Sequence, residues 1–490
     1  MIRRIRPLVA AALCTGLAAC AVGPNYHRPS APAATAFREV NGWVPATPAK
    51  IVPTDWWSIY RDPVLSRLER QVDVSNQTLK ADVAAYYAAR EAAGVTRGSL
   101  FPSITLGAGQ TRSGGGAANQ FNFGGARTAN EFGASGSWDV DLWGKLRREL
   151  QSANYQAQAS AADVAAARLS AQASLAADYF QMRAAEQQLR LLKMAVKDDR
   201  SALRIAQNQV AAGVTTLADV YSARTTLEST QSQEQSAELT RAEMEHAVAV
   251  LIGEAPSQLT LAYGTLAAEV PVVPAGLPSR LLQRNPGVAA AERTMASANA
   301  QIGVAEAAWF PSLTLSGAYD FESSTLASLI SASNAVWSFG PSLAENIFNG
   351  GATVALVREA RATYDEEVAN YRQTVLNAFQ QVENDLASLR YLQSEYLEEH
   401  QAVVDAKKAA TLTLNQYRAG VADYTTLLSA QTAELTAEVT LVSLQSQRLV
   451  ASVSLINALG GGWDRSELRQ PNDGIHATLS STVSNTVTNP

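Results

Sequence analysis

The sequence predicts a mainly α-helical chain of two tandem structural repeats, whose β-strands close into a transmembrane β-barrel together with strands from other copies. Two observations lead there. Lys145 to Ala212 gives 68 positions without glycine or proline, and Ala352 to Ala419 gives 68 more. Both are rich in good helix formers, and one such helix runs about 100 Å at its rise per residue, which nothing inside a compact domain needs. Each stretch also follows a segment in which apolar and polar residues alternate, the period of a strand.

The N-terminus sets the compartment. Arg3, Arg4 and Arg6 precede an apolar run from Pro7 to Gly16, then Leu17, Ala18, Ala19 and Cys20. A charged start, a short apolar core and small residues before the break make residues 1–19 a secretory signal, and the run is too short to span a bilayer. Leu17 to Cys20 resembles the bacterial lipoprotein signal, so Cys20 is the expected lipidation site, and Ala21 after it is compatible with sorting to the outer membrane. The other cysteine, Cys14, leaves with the signal, which excludes an intrachain disulfide in the mature chain. Several acyl chains hold an N-terminus firmly to a leaflet. The formal charge of −6 is spread thinly and offers no basic patch, so nucleic acid is not an expected partner.

Residues 20–60 are rich in proline and alanine and read as a lipidated, extended arm with Trp43, Trp56 and Trp57 as docking residues. The first repeat covers 61–253. It opens with a helical segment broken near Val74 to Asn76, then strands at about 102–111 and 130–141 around a glycine-, asparagine- and serine-rich loop. The long helix 145–212, Gly213 and a helix over 214–252 follow. Residues 254–284 form a linker with Pro271, Pro274 and Pro278. The second repeat, 285–463, has strands at about 312–321 and 334–343, a long helix 352–419, Gly420 and a helix over 421–459. Residues 464–490, polar and rich in serine, threonine and asparagine, read as a flexible tail. The recurrence of a 68-residue stretch, a glycine and a 39-residue stretch identifies a tandem duplication.

Four strands leave two open edges, and unpaired backbone groups in lipid cost several kcal/mol each. A lone four-stranded barrel has almost no interior, since outer-membrane barrels begin near eight strands. Several subunits contributing four strands each solve both problems. Phe101, Trp138, Trp143, Trp309, Phe310, Trp337, Phe339 and Phe348 at the strand ends fit interfacial girdles. A soluble hairpin domain with coiled-coil arms is the competing picture. Alanine-rich runs such as Ala161 to Ala167 favour broad contact with neighbours on both sides over an isolated zipper.

Further stretches resemble one family. Val22 to Pro29 resembles the start of its lipoprotein branch, Phe101-Pro-Ser and Phe310-Pro-Ser open the two hairpins, and Gln416 to Gln431 resembles its helix-turn-helix tip. The family is the outer membrane factors of tripartite efflux pumps, the TolC/OprM-like proteins. The resemblance covers essentially the whole mature chain. It implies a homotrimer, with a 12-stranded barrel in the outer membrane continuous with a 12-helix periplasmic α-barrel. It also implies a periplasmic adaptor protein and an inner-membrane resistance-nodulation-division transporter as partners, and a passive exit duct for drugs or other small toxic compounds as function. Type I protein secretion, or an autonomous porin or structural lipoprotein, are the alternatives.

No catalytic chemistry is expected. His27, His246, His400 and His476 lack metal-ligand spacing, no phosphate-binding glycine loop occurs, and no cofactor is implied beyond the lipid on Cys20. Gly213 and Gly420 permit the reversals between helices. The resemblance places a periplasmic gate at these tips, lined by carboxylates. Here Ser429 stands where the family's Leu-Leu-Asp-Ala-Gln motif has aspartate, with Thr425 and Thr426 upstream, while the first repeat keeps Asp219. The tip turns and adaptor-docking residues are expected to be Ala212, Gly213, Val214, Ala419, Gly420, Val421 and Asp423, and Arg418 with Asp423 is a candidate inter-helix lock.

Overall fold

The computed structural model describes residues 21–32, 37–40, 55–114, 127–271, 273 and 283–468. Cys20, the signal, Trp43, Pro274 and Pro278 lie outside them. Two helices lead into the first hairpin, α1 (Pro63–Ser75) and α2 (Gln77–Gly98), followed by β1 (Ser103–Ser113) and β2 (Arg127–Val140). The first long helix pair is α3 (Lys145–Ala211) and α4 (Leu217–Leu251). The second repeat comprises α5 (Pro286–Ala307), β3 (Ser312–Ser323), β4 (Ala335–Ala344), α6 (Ala352–Arg418) and α7 (Tyr424–Ala458).

The duplication extends to single side chains. Asn76 accepts from the Leu79 amide at 2.9 Å, capping α2, and donates to the Leu251 carbonyl at 2.8 Å. Asn285 does the same at α5, accepting from Val288 at 3.1 Å and donating to Ala458 at 3.2 Å. Each asparagine thus starts one helix and fastens the end of another. By composition α7 is apolar enough to cross a membrane. Its apolar residues are instead spent on packing, with Leu444, Leu449, Val453, Leu455 and Ile456 all buried.

The four strands form one antiparallel sheet in the order β1-β2-β3-β4. Its register puts one parity on each face. Leu106, Ala134, Tyr319 and Trp337 fall in line across the sheet, as do Ile104, Gly136, Gly317 and Phe339. The opposite face carries Thr105, Ser135 and Ala318, with Asp139 accepting from Thr314 at 2.7 Å. A face that is apolar over the stretch paired Val140–Leu313 to Phe132–Phe321 matches a tilted membrane crossing. Near its base Trp143 stacks on Phe310 with ring centroids 4.7 Å apart and donates to the Pro311 carbonyl at 2.9 Å.

The arm binds where strand passes into helix. The Val22 amide donates to the Trp143 carbonyl at 2.9 Å. Arg148, at the start of α3, donates to the carbonyls of Val22 and Gly23 and to Asn25 Oδ1 at 3.0–3.1 Å. Gly23 has φ +93°, and a Cβ there would stand 2.3 Å from Gly303 Cα, so two glycines are what let the arm lie against α5. Farther on, Tyr26 donates to Glu292 at 2.6 Å. Beyond α7, Arg465 pairs with the same buried Glu292 at 2.8 Å, and the rest of the segment expected as a tail, from 469 onward, lies outside the described residues. The N-terminal arm and the segment after α7 therefore converge on one carboxylate.

The main core lies midway along the long helices, at the level where the repeats meet. Trp56, Trp57 and Tyr60 of a single 3₁₀ turn pack there with Leu65, Leu68 and Val72 of α1, Phe180 of α3 and Ile456 of α7. Glu69 lies fully buried on the same face of α1, and neither of its carboxylate oxygens has a hydrogen-bond partner among the described residues. Burial holds its carboxyl well above the ordinary carboxylate range, and the charge of Asp73 adds to the shift. A carboxyl whose folded pKa is raised favours folding fully below its unfolded pKa, and that contribution is lost as pH rises through the folded value. Glu69→Gln keeps the shape and removes the titration. Thermal unfolding between pH 5 and pH 10 should therefore show a shallower alkaline decline for the variant, with the two proteins converging at the acidic end.

Candidate functional site at the helix tips

The long helices end in matched turns. At the first tip Gly213 donates to Val210 at 2.9 Å and Val214 to Gln209 at 2.9 Å; at the second, Gly420 donates to Tyr417 at 3.0 Å and Val421 to Gln416 at 2.9 Å. This is the pattern of a helix closed by a left-handed residue. The glycines have φ of +71° and +76°, and a Cβ at either would meet nothing within 4 Å, so conformation and not space requires glycine. The turn consumes three residues that the sequence reading assigned to the following helices. Those helices begin at Leu217 and Tyr424, which leaves Val214 and Val421 in the turns, 73% and 78% exposed. Ala212, Gly213, Ala419, Gly420 and Asp423 are exposed beside them.

The two tips touch through a small core. Tyr417 and Tyr424 are buried against Ala202, Ala206, Ala223 and Leu427. Their rings meet edge-on at 6.0 Å. The Tyr417 hydroxyl donates to Gln209 Oε1 of α3 at 3.0 Å. Burial raises the pKa of both phenols, and the nearby charge of Asp219 raises them further. Asp219 accepts from the Thr215 hydroxyl within its own turn.

Thr425, Thr426 and Ser429 all lie exposed on the first turns of α7. Ser429 donates back to the Thr425 carbonyl at 2.9 Å. The Arg418–Asp423 pair does not form within the chain. Asp423 is the N-cap of α7, accepting from the Thr426 amide at 2.8 Å, and its bonds to the Thr426 hydroxyl and amide hold its carboxyl below the usual range. Arg418 is exposed and makes no ion pair among the described residues. Capping satisfies an otherwise orphaned amide, which wins over an exposed ion pair worth about 0–1 kcal/mol. At the tips, the hairpins are tied together by the tyrosine pair, which the sequence reading passed over.

Above the tips, α3, α4 and α7 enclose a groove of about 740 Å³. Asp198, Asp199, Glu434 and Glu438 line it among threonines, with Lys407 paired to Glu438 at 2.6 Å. Burial raises the carboxyls of Asp199 and Glu434, and Glu438 adds to the latter shift.

Residues 68–254 and 277–461 match the family described as "Outer membrane efflux protein". The chain belongs to that family. Its two matched segments correspond to the two repeats, hairpins and tips included. The probable efflux pump outer membrane protein TtgC of Pseudomonas putida is 27% identical over 91% of this chain and 93% of its own. The probable outer membrane lipoprotein SilC of Salmonella typhimurium is 30% identical over 91% of this chain and 96% of its own. Among solved structures, the outer-membrane channel OprN superposes with a TM-score of 0.84 at 28% identity, covering 91% of this chain and all of that one.

Tyr424→Ala should cost the tip interface about 3–5 kcal/mol, the usual range for emptying a buried aromatic site. Tyr417→Phe removes one hydrogen bond and should cost about 1 kcal/mol. Hydrogen exchange at residues 199–231 and 410–431 should therefore rise strongly in the first variant and slightly in the second, with the sheet unaffected.

Proposed function

We propose that the protein is the passive outer-membrane exit duct of a tripartite efflux pump, carrying drugs or other small toxic compounds outward. The observation that carries this reading is the sheet. It has one apolar face and one polar face, two outer edges without strand partners among the described residues, and a continuation into helix hairpins far longer than a soluble domain requires. Three copies would join β1 of one to β4 of the next, giving a 12-stranded barrel with its apolar face to lipid and its polar face to the lumen. The helices of three copies would continue that lumen as a 12-helix tunnel. Membership of the efflux family supports the outer membrane as its place, and conduction without catalysis as its role. Selectivity then comes from the width and lining of the path.

The lipid anchor on Cys20 belongs to the same proposal. Ala21, the next residue, lies against Gly144 at the foot of the barrel strands, close to the Trp143–Phe310 stack. An acyl chain one residue earlier would start at the level of the aromatic girdle. That a relative is described as a lipoprotein is consistent with this. Docking of a periplasmic adaptor, itself bound to an inner-membrane resistance-nodulation-division transporter, is assigned to the exposed tips. Val214 and Val421 are the apolar contacts there, flanked by Ala212, Gly213, Ala419, Gly420 and Asp423. Asp219, Thr425, Thr426 and Ser429 line the closed mouth in this reading. Arg418 remains available to a neighbouring copy.

Deleting the gene should increase sensitivity to a panel of drugs, solvents and metal ions while leaving secreted proteins unchanged. The reverse pattern would point to protein secretion, and no change in either to a structural role. Cys20→Ser should abolish labelling by radioactive fatty acid. In planar bilayers Ser429→Asp should increase cation preference, since three further carboxylates would then join those of Asp219 at the mouth. Unchanged selectivity would remove Ser429 from the lining.

A further inference from the structure

The two repeats differ at one level of the long helices. In the first repeat Arg183 of α3 and Arg241 of α4 both pair with Glu186, at 2.8 and 3.1 Å, and Arg241 also pairs with Glu245 at 2.9 Å. Two cations thus meet two acids, and the carbonyls of Leu261 and Ala262 complete the cluster. In the second repeat the duplication puts Arg390 and Arg448 at the positions of Arg183 and Arg241. The positions of Glu186 and Glu245, however, hold Gln393 and Ser452. Both acids have been replaced there and both cations kept.

The N-terminal arm supplies what is missing. Glu39 pairs with Arg390 at 2.7 Å. The amides of Arg38 and Glu39 donate to the Glu383 carboxylate at 2.8 and 3.1 Å. Higher on the same helix, Phe37 meets Phe379 edge-on at 6.3 Å, and Arg28 donates to the Tyr371 hydroxyl at 2.6 and 2.9 Å. These contacts follow one stripe of α6 over about 28 Å at the helical rise. Below Arg390, down to the tip at Arg418, no hydrogen bond or ion pair joins the arm to α6 among the described residues.

We propose that Glu39 and Glu383 are positioning residues, through which the arm fixes α6 at the Glu383–Arg390 level, and that the second hairpin pivots from there when its tip opens. The first hairpin is held at the matching level by its own acids and by the linker after α4. The brace on the second hairpin comes instead from the segment that begins at the membrane, so the anchor and the gate share one helix. This deepens the gated-duct reading above and rests on it.

The duplication also provides the test. Glu39→Gln in the assembled full-length protein should increase hydrogen exchange at residues 37–40 and in α6 from 383 to 418, and should raise leak conductance in planar bilayers. Adding Gln393→Glu restores to the second repeat the acid that the first repeat carries at Glu186. It should return α6 exchange and leak toward wild type while residues 37–40 stay exchangeable. Glu383→Gln, a milder change that weakens the hold on the two arm amides, should give a smaller effect of the same sign. If 37–40 loosen while α6 exchange stays at the wild-type level, or if Gln393→Glu rescues nothing, the brace is overturned. Altered exchange with unaltered conductance would keep the brace and count against the gate reading instead.

Discussion

Among the described residues, backbone amides and carbonyls along the outer edges of β1 and β4 have no strand partner, and in hydrocarbon each such group costs several kcal/mol. Most of the rest of the molecule follows from that constraint. An open four-stranded sheet with an apolar face cannot rest in a membrane by itself, and in the proposed assembly copies arranged about a common axis would supply the missing partners. Long helices leaving the base of such a sheet would then run side by side around that axis. Small residues along them let neighbours approach closely. The aromatic stack of Trp143 on Phe310 sits at the transition, where the chain leaves the apolar layer and enters water.

Duplication lowers the number of independent problems the chain has to solve. The Asn76 and Asn285 caps, the two tip glycines and the helix lengths are solved once and used twice. Divergence is concentrated where the ends of the chain come in. Glu292 accepts both Tyr26 of the arm and Arg465 beyond α7, whereas Val83 occupies the corresponding place in α2. The charge cluster at Arg390 depends on the arm in the same way. Once the two halves are no longer identical, each can move differently.

The repeat, the hairpins and the helix lengths were legible because they are periodic: alternation reads as strand, and freedom from glycine and proline reads as helix. What periodicity could not show was the outcome of local competition. The turn after Gly213 needs extra residues to satisfy the last carbonyls of α3, so α4 starts at Leu217. Asp423 could have been recognised as a cap, because it directly precedes α7 and faces the Thr426 amide, but opposite charge invited a pairing with Arg418 instead. Tyr417 and Tyr424 gave no signal of their role. A tyrosine beside a glycine turn looks the same whether it faces solvent or the other hairpin. Glu39 and Arg390 are separated by most of the chain, and nothing local links them.

The distribution of buried residues then decides where such a tunnel can open at least cost. At the equator, tryptophans, phenylalanines and leucines from the arm, α1, α3, α6 and α7 share one continuous core, and the ion clusters lie beside it. At the tips the shared core has six residues, three of them alanine, with one hydrogen bond, from Tyr417 to Gln209, to the other hairpin. Apolar burial contributes roughly in proportion to area, so separating the tips forfeits far less than disturbing the equator. The charge of Asp219 near two buried phenols adds no counter-ion that would hold the closed form. In the proposed duct, a closure resting on two tyrosines, three alanines and Leu427 would be weak enough for a docked partner to reverse, while the proposed braces above it would keep the rest of the wall in place.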